Sequence, residues 1–199
     1  QDLGLKYGVG LEYFFEVWDN DGINGSKSTK SSLFNFQAAS VDELEAIAEE
    51  ENSQLKNDLE ESKKLAEDIQ TDLEELQRQL LKDKELSWED KQKTKELLEK
   101  QETLKKKVND IQKQQKQNQL AENVYQKPNE ELLRKQEEIQ RLFDSIMNDE
   151  LQEIMQELDE MMNTIDKEKL QKMLEDMQQS DEDLEKELDR TLELFKQME

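Results

Sequence analysis

From Ala48 onward one stripe of residues recurs by alternating steps of four and three: Ala48, Asn52, Leu55, Leu59, Ser62, Ala66, Ile69, Leu73, Leu76 and Leu80. Asn52, Ser62 and Ala66 are polar or small interruptions in an otherwise apolar series. Such spacing suits a long helix that buries a single stripe against a partner helix, and it does not suit a strand, whose period is two. A second series begins after Ser87: Thr94, Leu97, Gln101, Leu104, Val108 and Ile111. It turns polar through Gln112–Gln119, and Pro128 closes the segment. At 1.5 Å per residue the two helices, Val41–Leu81 and Trp88–Val124, span about 60 and about 55 Å. Nearly equal lengths joined by the short Lys82–Ser87 turn predict an antiparallel helical hairpin, a coiled coil. Residues 41–81 carry 4 basic and 14 acidic side chains, and residues 82–116 carry 11 and 8, so opposite net charge favours the pairing. A parallel dimer of long helices is the rival arrangement that heptads alone also permit.

Composition agrees with extended helices. Only 33% of the 199 residues are hydrophobic and 40% are charged, too few apolar groups for a thick core. Ser40 with Glu43 makes a capping box at the first helix start. Beyond Pro128, Asn129 is a candidate cap for a third helix with Leu132, Leu133, Ile139, Leu142, Phe143 and Ile146 apolar. Asp149, Asp166 and Ser180 are candidate caps for three shorter helices.

The first 36 residues differ from the rest. They hold all five Gly and most of the large aromatics. Leu11, Tyr13, Phe15 and Val17 alternate with Glu12, Phe14, Glu16 and Trp18, which predicts a strand with the first set buried. Asp19–Gly25 is a turn, and Ser26–Phe36 a second, polar strand. Two strands alone are marginal in water, so they read as the end of a truncated β-sandwich or as a hairpin covered by a helix. The domains expected are therefore 1–39 (β-hairpin), 40–127 (helical hairpin) and 128–199 (acidic, Met-rich helices), and the fold class is mainly α.

Several functions are disfavoured. A net charge of −23 would repel phosphate backbones and anionic lipid, so nucleic acid is not an expected partner. There is no His and no Cys. Disulfides and thiolate metal sites are excluded, and the compartment is left open. Most carboxylates fall on polar helix faces, and no phosphate-cradling Gly loop or nucleophile elbow occurs, so no enzyme, catalytic residue or cofactor is expected. Asp19-Asn20-Asp21-Gly22 invites calcium, but aligning Gly22 to the loop Gly puts Val17 and Ser28 at the two anchor positions, and a turn is the better reading. Trp88 at a helix start is a binding anchor or, preferably, packs over the turn between helices. No apolar run is long enough to span a membrane, and residues 1–199 are not expected to include a signal peptide. Gln1 and Glu199 read as cuts in a longer protein.

All seven Met lie between Met147 and Met198, in a stretch with 9 basic and 23 acidic side chains over residues 128–199. Met is adaptable and frequent on surfaces that accept varied helices. Phe143, Met147, Met155, Met161, Met162 and Met173 are therefore the candidate partner-binding residues, an apolar groove with an acidic rim. The alternative is that these Met fill the core between short helices.

The segments GLEYFFEVWDNDGINGSKSTKS, SWEDKQKTKELLEKQ and LDRTLELFKQME together resemble an uncharacterised bacterial envelope family, over nearly the whole chain. In that family N-terminal membrane helices precede an Ig-like β region and a long helical region. The resemblance implies a membrane-anchored, periplasmic part that touches membrane only through segments absent here. Some relatives are labelled as the membrane a subunit of ATP synthase, which would need membrane helices. The function expected is a non-catalytic scaffold or partner-binding helical arm of an envelope protein, binding protein or a second copy of itself. The alternative is an accessory subunit of a membrane transport or ATPase-linked complex.

Overall fold

The computed structural model describes residues 6–197 except 21, 22, 24, 83, 84, 127, 129, 147, 148 and 163. Its contacts divide the chain into two compact units, Gln1–Glu50 and Glu51–Glu199. The fold is mainly α, with a long antiparallel helical hairpin, further helices after it and a small β-hairpin before it.

In the first unit the two predicted strands form, each in two pieces. β1 (Gly10–Tyr13) pairs with β4 (Phe34–Gln37), and β2 (Glu16–Trp18) with β3 (Ser28–Lys30), all antiparallel. The register partners sum to 47 in the outer ladder (Tyr13 opposite Phe34) and to 46 in the inner one (Glu16 opposite Lys30), so the returning strand carries one extra residue. This is a bulge, and Ser31 manages it: its hydroxyl accepts the Phe15 N–H at 2.9 Å while its own N–H donates to the Phe15 carbonyl at 2.9 Å. The expected turn closes through Asp19, whose N–H donates to the Lys27 carbonyl and whose Oδ1 accepts the Lys27 N–H, both at 2.9 Å. Gly25 takes a φ of +87°, a conformation glycine adopts without steric cost.

The predicted buried face is not buried. Tyr13, Phe15 and Val17 are 41%, 63% and 65% exposed. Alternation assigns the apolar residues to one face correctly, but it cannot supply the second layer that would cover them. The rings instead cover one another: Tyr13 stacks on Phe34 at 5.3 Å, and Phe15 meets both edge-on. On the other face Lys30 sits over Phe14 and reaches Glu16.

α1 (Val41–Lys82) starts at the Ser40 capping box, where the Ser40 N–H donates to Glu43 Oε2 at 2.8 Å and the Glu43 N–H donates to Ser40 Oγ at 3.3 Å. That arrangement holds the Glu43 carboxyl below its usual value. α2 (Trp88–Tyr125) starts at a second box, Ser87 with Asp90. Both predicted seams are found. Leu55, Leu59, Ser62, Ala66, Ile69, Leu73, Leu76 and Leu80 are buried on α1, and Thr94, Leu97, Gln101, Leu104, Val108 and Ile111 on α2. The α2 seam continues through buried Gln115 and Asn118, so the polar stretch is still helix interior.

Cross-helix bonds fix the direction. Asn52 donates to Glu122, Lys107 pairs with Glu61 at 2.8 Å, Lys100 with Asp72 at 2.5 Å, and Lys93 donates to Gln79. Numbers rise along α1 as they fall along α2, as an antiparallel pair requires. Each exposed pair contributes only about 0–1 kcal/mol, so the leucine seam supplies most of the stabilisation.

α3 (Glu130–Ile146), α4 (Asp149–Met161) and α5 (Lys167–Lys196) complete the second unit. The Asn129 cap lies outside the described residues. Asp149 opens α4 from within the helix, and Asp166 caps α5 by accepting the Lys169 N–H at 2.9 Å. Ser180 is not a cap. α5 runs through it, because Leu170, Leu174, Met177, Asp181, Leu184, Leu188, Thr191 and Phe195 keep the four-three spacing and are all buried. Two helices therefore stand where three short ones were expected. Nor is 128–199 a separate core. Lys63 of α1 bonds Asp189 of α5 at 2.6 Å, and Gln77 of α1 donates to the Leu174 carbonyl. The buried residues of α1, α2, α3, α4 and α5 form one cluster.

Candidate functional site

Of the residues singled out for partner binding, two lie in the core of the helical unit and three lie at its edge. Phe143 of α3 is fully buried and Met173 of α5 is 6% exposed. Met155 and Met161 of α4, with Met162 just after it, are half-buried and pack against the same core. Met147 lies outside the described residues. The flexible thioethers fill the irregular space where the short α4 meets α5, which is the gap-filling use of Met. Phe143 and Met173 are core residues, and the half-buried Met155, Met161 and Met162 line the edge of that core.

One cavity opens where α2, α3, α4 and α5 converge. Gln101, Lys105, Ile146, Leu151, Met155 and Leu184 are among its lining residues. Its volume is about 20 Å³, room for one water and far below the several hundred Å³ of a metabolite site. Lys105 closes one side by donating to Gln152 of α4.

Beside this cavity stands a feature that the sequence did not single out for chemistry. Gln101 of α2 and Asp181 of α5 occupy seam positions where Leu would be ordinary, and they are 1% and 3% exposed. Gln101 Nε2 donates to Asp181 Oδ2 at 2.5 Å. Burial pushes the Asp181 carboxyl up to about 7, while the Gln101 bond pulls the other way. Elsewhere the perturbed groups are surface partners: Lys107 holds Glu61 low, and Asp72 and Asp189 raise Lys100 and Lys63.

Trp88 does not pack over the turn; it is 79% exposed, as is Leu81 at 75%. The reason is helical geometry. Asp90 is turned inward and fully buried to complete the capping box, and a residue two positions away lies about 200° around the helix. In the Asp19–Asn24 segment, Asp19 Oδ1 is engaged by the Lys27 N–H, and Asp21, Gly22 and Asn24 lie outside the described residues. Among the described residues no group of three or more acidic or His side chains could hold a metal. No described helix is long and apolar enough to cross a membrane. No protein-family model, curated protein or solved structure matches the chain.

Proposed function

We propose that the chain is a non-catalytic helical scaffold of a membrane-anchored bacterial envelope protein, and that it binds a protein partner through its β-hairpin. The observation that carries the binding reading is the aromatic face of that hairpin. Tyr13, Phe15 and Phe34 are in ring contact, yet each remains at least 41% exposed. A two-stranded hairpin is marginal in water, and large aromatic surface is stabilised when a second layer removes it from solvent. The helical unit supports the scaffold reading: its interior is filled by leucine seams, and its charges pair along the outside. The envelope setting and the anchor rest on the family resemblance alone.

The test is a photo-crosslinking residue placed at Phe15 of the full-length protein in cells, with Arg141, an exposed position on α3, as the control site. A discrete adduct to a second polypeptide from position 15 and not from 141 is expected. Crosslinks only to another segment of the same polypeptide, or none, would refute partner binding by this face. Fractionation tests the anchor: the protein should sediment with membranes, and recovery in the soluble fraction would overturn it.

A further inference from the structure

We propose that Asp181 is held in the folded helical unit as a neutral carboxylic acid paired with the Gln101 amide, and that its ionisation loosens α5 from α2. The geometry carries this. Gln101 Nε2 donates to Asp181 Oδ2, which leaves Asp181 Oδ1 and Gln101 Oε1. Both of these oxygens are buried, and neither receives a hydrogen bond. Two acceptors of one contacting pair, both short of a donor, are completed by one proton. A carboxylic acid O–H supplies it, and the carboxyl hydrogen can then be donated to an acceptor such as the amide oxygen. An ionised carboxylate here would keep a single neutral donor at 3% exposure, a poor exchange for its hydration.

Among the described residues no cation acts on the Asp181 carboxyl. On α2, Lys105 donates to Gln152 of α4, and Lys100 pairs with Asp72 of α1. On α1, Lys63 is paired with Asp189 of α5. On α5 itself Lys186 pairs with Asp183, and the neighbouring Glu182 and Glu185 only add negative charge. On α3, Asp144 accepts from Gln112, eleven residues along α2 from Gln101. The seam neighbours of the pair, Leu97, Leu104, Met177 and Leu184, are all buried and apolar.

The direction with pH follows from the raised carboxyl. The unfolded chain gives up this proton near 3.8, whereas the folded unit holds it to about 7. Stability from the neutral pair is therefore fully present below 3.8, falls as pH rises, and is lost once pH passes about 7. The general charge of −23 also favours lower pH, so an isosteric variant is needed to isolate Asp181. In Asp181→Asn the amide nitrogen replaces the acid O–H as donor and carries no charge at any pH.

The experiment is urea unfolding of the full chain and of D181N at intervals from pH 5 to pH 8.5. The wild-type folding equilibrium constant should fall at least about tenfold more than that of D181N across this range, with D181N the more stable at the alkaline end. Parallel pH profiles of the two proteins would overturn the proposal. A second reading uses the wild type alone: the Asp181 carboxyl carbon resonance, assigned in the folded protein, should titrate near neutrality. Titration in the ordinary aspartate range would overturn it even if D181N failed to fold.

Discussion

Phe143→Ala separates a core residue from a binding residue. Phe143 is completely buried, in the same cluster as Ile139, Ile146 and Leu192. Truncating a fully buried Phe removes its transfer energy and leaves a cavity, a loss of about 3–5 kcal/mol. The cluster around Phe143 can collapse little, since its residues are held on five separate helices. For a chain of this length each kcal/mol lowers melting by about 2–4 °C, so the midpoint should drop by roughly 6–20 °C. Met155→Ala, half-buried at the edge of the same core, should cost less, about 1–2 kcal/mol in proportion to the area it covers. The assay is thermal unfolding followed by far-ultraviolet circular dichroism, with urea unfolding as a check. If F143A melted together with the wild type, Phe143 would not be core, and the inclusion of α3 in the single buried cluster would be wrong.

Two further outcomes follow from local geometry. Ser87→Ala removes the hydroxyl that accepts the Asp90 N–H at 3.1 Å and should destabilise the helical unit by about 1 kcal/mol; no change in the urea midpoint would contradict the capping box. Trp18 and Trp88 are 63% and 79% exposed, so tryptophan emission should resemble indole in water and shift little as the helices melt. Blue-shifted emission that moves red on unfolding would show at least one ring buried.

The long helices were legible because their burial is periodic. Each predicted seam residue from Leu55 to Leu80 and from Thr94 to Ile111 is buried, and Ser40 and Ser87 cap where Glu43 and Asp90 stand three residues on. Legibility failed where one residue pattern has two uses. Ser180 with Asp183 mimics a helix start, yet the seam on either side runs straight through it. Asp181 disguised that seam, because a carboxylate at a core position is recognisable only beside its partner, Gln101, 80 residues away. The Met-rich composition pointed to adaptable apolar surface equally well in a core or in a groove, and the structure places Met173 and Met177 in the core and Met155, Met161 and Met162 at its edge. In the hairpin, alternation sorted the two faces and the turn residues placed the reversal, but neither revealed the register of Tyr13 opposite Phe34, the bulge at Ser31 or the lack of a covering layer.

The packing of α1 antiparallel to both α2 and α5 within one chain is the central structural claim, and paired cysteines test it directly because the chain has none of its own. Glu61→Cys with Lys107→Cys places thiols on facing positions of α1 and α2, and Lys63→Cys with Asp189→Cys on facing positions of α1 and α5, each pair within reach of a short bifunctional thiol-reactive crosslinker. Treating the dilute native protein with that crosslinker should join the two thiols within one chain in both double variants, with no dimer on denaturing gels. Crosslinks that form only between chains would contradict the fold and favour a parallel dimer of long helices.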